Sequence, residues 1–322
     1  MPVNMDKPQL WKADVVQSVD FYNEWFMQFA PKAYRETRRE TTSQVEFALD
    51  KTENLTDISP ETLMKHPEIL PILRMATAPP IARDRLIGLA SISPSLVRNM
   101  ELKQRVSPNM AKDTLVEQLG KIGFLIRKLA DLDICPWLES GNRPRKPEIH
   151  RAATVVADRL CGSLADPIIR NAQEKRQLAS LQQWLESCGY RYVKPISIPD
   201  FREMEAGTFA FHLNVPVALE GGQMQINISV DVAVMPKKRS KSTLPLLVEC
   251  KSAGDFTNTN KRRKEEAVKI AQLRANYGKN TRFILFLCGY FDSGYLGYEA
   301  AEGLDWVWEH RIDDLVKFGL KR

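Results

Sequence analysis

Cysteine is scarce in this sequence, and its distribution excludes two kinds of site. The 322 residues include five cysteines, none in a CxxC pair and none with histidines at zinc-ligand spacing. An odd number of widely scattered cysteines argues against a disulfide framework, and the missing spacing argues against a structural zinc site. We therefore expect reduced thiols in a cytoplasmic protein.

Long apolar runs and targeting signals are also lacking. No stretch of about 18 apolar residues occurs, so we expect no membrane-spanning segment. The N-terminus, MPVNMDKPQLWKADVV, lacks the basic and apolar regions of a secretory signal peptide. The sequence contains no Walker A loop, no GxGxxG after a strand and no nucleophile elbow, which leaves a small-molecule enzyme without support.

Positive charge is in modest excess. Lysine and arginine number 46 and acidic residues 40, a net charge of +6. This balance suits a polyanionic partner such as DNA, although many soluble proteins are mildly basic without one. Hydrophobic residues make up 43%, enough for a sizeable core, and the length suits one large domain or two ordinary ones.

The first half of the chain has helical periodicity interrupted by prolines. Apolar spacing predicts helices over residues 11–29, 41–49, 60–75, 83–91, 96–104, 112–132 and 148–161. The polar, turn-rich segment 139–147 predicts a junction. We therefore expect a helical region over residues 1–147 and a second region over residues 148–322.

The second half has a different pattern. A helix is predicted to begin at Asp166, as N-cap before Pro167, and to stop at Gly189. Strands are predicted over 190–198, 208–219, 223–235, 244–251 and 282–288, with a hairpin turn at Gly221-Gly222 and a helix over 260–277. This order predicts an α/β (α+β) fold with a compact mixed sheet flanked by helices.

Two neighbouring strands carry the candidate catalytic residues. In QINISVDVAV, strict alternation puts Ile226, Ile228, Val230, Val232 and Val234 on one face and leaves Asp231 at the end of a polar row. In LPLLVECK, Glu249 and Lys251 are two residues apart and share a face. Two carboxylates from adjacent strands can hold Mg2+ or Mn2+, and a neighbouring lysine can act on a bound water. The alternative is an ordinary salt bridge at a strand end.

A third carboxylate is predicted from the preceding helix. Glu174 shares a helical stripe with Leu178, Leu181 and Leu185, which should face the sheet. Glu174 is therefore a candidate metal ligand. The alternative is an acid near a helix N-terminus that complements the macrodipole.

Two basic clusters flank these strands. Asn258, Asn260, Lys261, Arg262 and Arg263 lie between the second strand and the following helix, where a phosphate backbone would offset the unfavourable charge at a helix N-terminus. The alternative is a solvated helix face neutralised by Glu265 and Glu266. Lys237 and Lys238 lie between the two strands, either over DNA or in a soluble turn.

The sequence resembles a known nuclease superfamily. Asp231 on one strand, Glu249-Cys250-Lys251 ending the next, then a helix and an apolar strand resemble the PD-(D/E)xK core, whose order is α-β-β-β-α-β. Valine precedes Asp231 where the motif name has proline. With the segments 21–31, 75–89 and 308–311, most of the chain is similar to the XamI-type restriction endonucleases.

This resemblance implies an activity and its partners. Similar enzymes are type II restriction endonucleases that use Mg2+, with Mn2+ able to substitute, to cut double-stranded DNA at a short palindrome and leave 5′-phosphate ends. The resemblance suggests GTCGAC as the site, a homodimer, a cognate methyltransferase acting on that site, and recognition and dimerisation by residues 1–147. It adds the main-chain carbonyl of Cys250 as a metal ligand, and it gives His66, His150, His212 and His310 no catalytic role.

Several alternatives stay open. Arg83 and Arg85 could contact guanine edges or phosphates, or they could pair structurally around Asp84. The same core could belong to a repair or modification-dependent nuclease. It could also belong to a DNA-binding protein whose nuclease core no longer cleaves.

Overall fold

The chain forms two units. The computed structural model describes residues 2–218, 225–240, 242–256 and 259–320, without the side chains of 260–264. One unit comprises Met1–Phe29 with Arg170–Arg322, and the other Ala30–Ile169. These limits differ from the expected boundary between residues 147 and 148. One reason is that Asp305 accepts hydrogen bonds from the backbone N–H groups of Val3, Asn4 and Met5 at 2.5, 3.0 and 3.0 Å, which fixes the N-terminal segment to the last strand.

The helices and strands follow the predicted order and add further elements. The α-helices are α1 (Pro8–Lys51), α2 (Pro60–Lys65), α3 (Leu70–Met75), α4 (Arg83–Ala90), α5 (Pro94–Lys103), α6 (Lys112–Lys128), α7 (Trp137–Ser140), α8 (Lys146–Ser187), α9 (Thr259–Tyr277) and α10 (Ser293–Ala301). The strands are β1 (Arg191–Tyr192), β2 (Thr208–Ala218), β3 (Gln225–Val234), β4 (Leu246–Ala253), β5 (Arg282–Gly289) and β6 (Asp305–Trp308). None of the helices in the described ranges is long and apolar enough to cross a bilayer.

Two predicted helix breaks are wrong. Helix α1 continues through Pro31, and α8 continues through Pro167, so Asp166 does not cap a helix. A proline inside a helix removes one backbone hydrogen bond. That loss is offset where the apolar stripe continues into a packed interior, as at Ala165, which is buried beside Pro167.

The unit of residues 30–169 is helical and has one hydrophobic core. Its buried residues come from each of the elements in this part of the chain, including Leu63, Leu73, Leu86 and Leu119. A buried ion-pair network adds to it, because Glu101 contacts both Arg74 and Arg83 at 2.6 and 2.7 Å.

The other unit is built on a mixed sheet with strand order β1-β2-β3-β4-β5-β6. Strands β2, β3 and β4 are antiparallel, while β1–β2, β4–β5 and β5–β6 are parallel pairs. Alternate β5 residues pack into different hydrophobic clusters, Ile284 with Leu181 and Leu185 of α8, and Leu285 with Ile270 and Leu273 of α9. The sheet is therefore covered by helices on both faces, as predicted.

The ends of the sheet differ from the prediction. The predicted strand 190–198 shortens to β1, and a 3-10 helix follows at Pro195–Ser197. Proline has no backbone N–H to donate to a ladder, which ends the strand. Helix α10, with Asp292 as its N-cap, and the buried strand β6 were not predicted. The predicted turn at Gly221-Gly222 lies outside the described residues.

A kink interrupts β2 and β3 at the level of Asp231. His212 has φ of +50°, and the ladder pairs Phe211 with Val232 and Leu213 with Val230 on either side of it. Phe211 and Val232 pack into the cluster on the α8 side, whereas Leu213 and Val230 pack into the cluster on the α9 side. The prediction that residues 226–234 alternate without interruption is therefore wrong, because the left-handed residue turns both strands over.

Candidate active site

Asp231 and Glu249 lie where β3 and β4 part. The β3–β4 ladder pairs Val234 with Leu246, and its last pair before the two acids is Val232 with Val248. Beyond that pair, the backbone N–H of Cys250 donates to Oδ2 of Asp231 at 2.8 Å. The carboxylate thus takes the place of a backbone acceptor and opens the sheet.

A cleft of about 320 Å³ occupies this opening. Four of its lining residues come from α8 and one from the end of β3, and the rest come from β4. The lining residues are Arg170, Gln173, Glu174, Gln177, Asp231, Glu249, Cys250, Lys251 and Ser252. The three predicted catalytic residues therefore meet in one cleft, together with the predicted ligands Glu174 and Cys250.

Helix α9 supplies charged side chains beneath the cleft. Nζ of Lys251 lies 3.1 Å from Oε1 of Glu249 and 3.0 Å from Oε1 of Glu266. Nζ of Lys269 lies 2.6 Å from the same oxygen of Glu249 and donates to the carbonyl of Ser229 at 3.3 Å. Lys269 therefore fills the gap between β3 and β4 on the α9 side.

Burial and charge shift the acid–base properties of these groups. Burial and the nearby Glu249 carboxylate raise the pKa of Asp231, although the Cys250 N–H and Lys251 oppose this. Burial opposes the charged form of Lys251, but the Glu249 and Glu266 carboxylates outweigh it and raise the lysine pKa above its ordinary value. Burial raises the pKa of Glu266, partly offset by Lys251. Lys251 is therefore an ammonium group at neutral pH.

The donor set fits a divalent cation. Oε2 of Glu249 is buried and has no hydrogen-bond partner in the described part of the chain. An unsatisfied buried carboxylate oxygen is costly unless a cation or a water completes it. Together with Asp231, it offers the hard oxygen atoms that Mg2+ and Mn2+ prefer.

Glu174 and His212 stand on the other side of Asp231. Ligand atoms of Glu174, His212 and Asp231 all lie within 4.8 Å of one another, and Nε2 of His212 is 3.9 Å from Oε1 of Glu174. The alternative explanation of Glu174 by the helix macrodipole is wrong. Helix α8 begins at Lys146, so Glu174 lies in the helix interior, far from the first turn.

The remaining predicted DNA contacts lie elsewhere. Lys237 and Lys238 are exposed in the connection beyond Val234, at the opposite end of the ladder from the parting of the strands. Arg85 is exposed, while Arg83 pairs with Glu101. Asn258 and the side chains of residues 260–263 (Asn260, Lys261, Arg262 and Arg263) lie outside the described residues.

Sequence reasoning missed four residues of this site: Gln177, His212, Glu266 and Lys269. Glu266 is fully buried and does not lie on a solvated face. Its spacing to the buried Ile270 and Leu273 is four and seven residues, which is the helical signal that could have identified it. No comparable signal marks His212, because the kink that exposes it follows from backbone geometry.

Comparisons with known proteins agree over most of the chain. The family model described as "XamI restriction endonuclease" matches residues 53–308, which is more than half of the chain. The type II restriction enzyme SalI of Streptomyces albus G is 53% identical over 320 residues, covering 98% of this chain and 99% of that protein.

One solved structure also aligns. Protein VC1899 from Vibrio cholerae is 13% identical with a TM-score of 0.29. The alignment covers 85% of this chain, which spans only 55% of that one. A likeness at this level supports no conclusion about fold or function.

Proposed function

The chain belongs to the XamI restriction endonuclease family and is a type II site-specific endonuclease, and we propose that it makes Mg2+-dependent double-strand cuts at a short palindrome. We take GTCGAC as the first site to test and 5′-phosphates as the expected ends. A palindrome is read most simply by a two-fold symmetric protein, so we propose a homodimer. A cognate methyltransferase would act on the same site in the cytoplasm.

One observation supports the catalytic assignment above others. Asp231, Glu249 and Lys251 come from two strands and meet where the strands part, and Oε2 of Glu249 is buried there without a hydrogen-bond partner. We propose that Asp231, Glu249 and the main-chain carbonyl of Cys250 hold Mg2+. When bound, the ion would polarise the scissile phosphate and lower the pKa of an attacking water.

Lys251 has a defined part in this proposal. Its ammonium group lies between Glu249 and Glu266, whose charges keep it protonated. A protonated lysine cannot accept the proton of the attacking water. We therefore assign Lys251 to orienting that water and stabilising the negative charge that develops on the phosphoryl oxygens.

Two residues from α9 position this machinery. Glu266 is fully buried and holds the lysine from below. Lys269 binds Oε1 of Glu249, which leaves Oε2 to face the cation. The side chains fixed in this way need little rearrangement when substrate binds.

DNA contacts are proposed from the basic clusters. Asn258, Asn260, Lys261, Arg262 and Arg263 precede or begin α9, the same helix that carries Glu266 and Lys269. We propose that these residues bind the phosphate backbone and that residues 1–147 contribute base recognition and dimerisation. Arg85 is retained as a candidate DNA contact, because its side chain is exposed.

The test is a cleavage assay on unmethylated phage DNA and on a duplex containing GTCGAC. Wild type, Asp231→Asn and the exposed control Asp50→Asn are compared with Mg2+ and with EDTA. Asparagine keeps an oxygen that can accept the Cys250 N–H but removes the charge. We expect discrete fragments from wild type and from Asp50→Asn with Mg2+, and none from Asp231→Asn or with EDTA.

Each outcome has a clear meaning. Cleavage at GTCGAC with 5′-phosphate ends supports the full proposal, and discrete cleavage elsewhere overturns the site but keeps the chemistry. A smear overturns sequence specificity. Undiminished cleavage by Asp231→Asn overturns the active-site assignment.

A further inference from the structure

His212 occupies an unusual position in the sheet. Within the described ranges, the other non-glycine residues with positive φ lie in turns or at helix ends, whereas His212 lies inside a strand. A non-glycine residue in this conformation costs about 1 to 2 kcal/mol. Such conformations concentrate at functional sites, where other interactions offset the cost.

The kink has a specific result for the His212 side chain. Phe211 and Leu213 pack into the clusters on opposite faces, so the chain turns over at His212 itself. The imidazole is thereby about half exposed, with 53% of the side chain accessible, beside Glu174 and Asp231. A regular strand would direct position 212 to the same face as the buried Ala210.

The spacing of the three side chains suits one ion. Ligand atoms bonded to a cation at about 2.1 Å lie about 3 to 4.2 Å apart. Nε2 of His212 lies 3.9 Å from Oε1 of Glu174, too far for a hydrogen bond and within this range. The group with Asp231 spans no more than 4.8 Å, so small side-chain rotations bring all three atoms to one centre.

We infer that Glu174, His212 and Asp231 form a second cation position, separate from that of Asp231 and Glu249. This inference rests on the proposed function, since Asp231 would be shared by the two positions. One nitrogen and two carboxylate ligands favour a transition metal such as Mn2+ or Co2+ over Mg2+, because imidazole binds these ions better than it binds Mg2+. The occupant is therefore a divalent transition metal.

The experiment measures the bound metal directly. Mn2+ is titrated into the full-length protein by calorimetry, and pulsed electron paramagnetic resonance detects coupling of Mn2+ to ligand nitrogen. The variants are His212→Asn, which tolerates positive φ, His212→Gly as a second backbone-compatible change, and Glu174→Gln. His150→Asn is the control, because His150 is largely exposed and belongs to the helical unit.

We expect two Mn2+ ions per chain and a nitrogen signal in wild type and in His150→Asn. Both His212 variants should lose the nitrogen signal and weaken one of the two Mn2+ sites by about tenfold or more, the size of effect seen when a metal site loses supporting contacts. Mg2+ affinity should change by less than about threefold. Glu174→Gln should weaken the same site.

Persistence of the nitrogen signal in both His212 variants would overturn the inference. Binding of a single Mn2+ by wild type would overturn it as well. Cleavage of DNA by wild type with Mg2+, measured in parallel, separates the two proposals. Cleavage without a His212-dependent nitrogen signal leaves the nuclease proposal standing alone, and the reverse result leaves the cation position standing alone.

Discussion

The backbone N–H of Cys250 donates a hydrogen bond of 2.8 Å to Oδ2 of Asp231. This single bond joins β3 to β4 at the point where their regular ladder ends. It fixes the carboxylate beside Glu249 and Lys251, and it explains how residues 18 to 20 positions apart in sequence come to share one cleft. The predictions below start from this arrangement.

Lys251→Met should reduce cleavage by at least about a thousandfold, because it removes the charge assigned to the developing phosphoryl anion. It should also destabilise the fold by about 3 kcal/mol, since Glu266 would stay buried without its counter-ion. Adding Glu266→Gln should restore much of the stability and none of the activity. Urea unfolding and single-turnover cleavage separate the effects. Recovery of cleavage in the double variant would contradict the role given to Lys251.

His212→Val and His212→Gly form a matched pair that tests the kink. Valine is strained at a φ of +50°, whereas glycine is not, so we expect His212→Val to be less stable than His212→Gly by about 1 to 2 kcal/mol. Chemical denaturation of the two proteins gives the difference. Equal stabilities would mean that the strand is regular in solution.

Arg83 and Arg85 should separate stability from DNA contact. Arg83 contacts the buried Glu101, so Arg83→Gln should lower the midpoint of thermal unfolding by roughly 2 to 4 °C. Arg85 is exposed, so Arg85→Gln should leave the midpoint within about 1 °C and weaken binding to the cognate duplex. The reverse assignment of the two effects would show that Arg83 is the DNA contact.

Salt dependence should identify the basic cluster that binds DNA. Neutralising Lys261, Arg262 and Arg263 together to glutamine should reduce the slope of log affinity against log salt by about 2 to 3, since each phosphate contact contributes about 0.9. Neutralising Lys237 and Lys238 should change it by less than about 1. The latter pair lies beyond the far end of the ladder, and Lys237 rests over the ring of Tyr190. Anisotropy titrations in the presence of EDTA measure both slopes.

Local sequence determined much of this protein. Period-two alternation and β-branched residues identified β3 and β4, and spacing alone put Glu249 and Lys251 on one face. The stripe of Leu178, Leu181 and Leu185 correctly oriented α8 toward the sheet. These features follow from interactions between residues close in sequence, so they can be predicted from the chain alone.

Tertiary structure decided the rest. Helices α1 and α8 pass through Pro31 and Pro167 because burial of their apolar stripes outweighs one missing hydrogen bond, and no local signal reports that balance. The turnover at His212 and the pairing of Glu266 with Lys251 depend on partners that are 14 to 19 residues away along the chain. Sequence determined which residues carry the chemistry, and packing of distant segments determined how they meet.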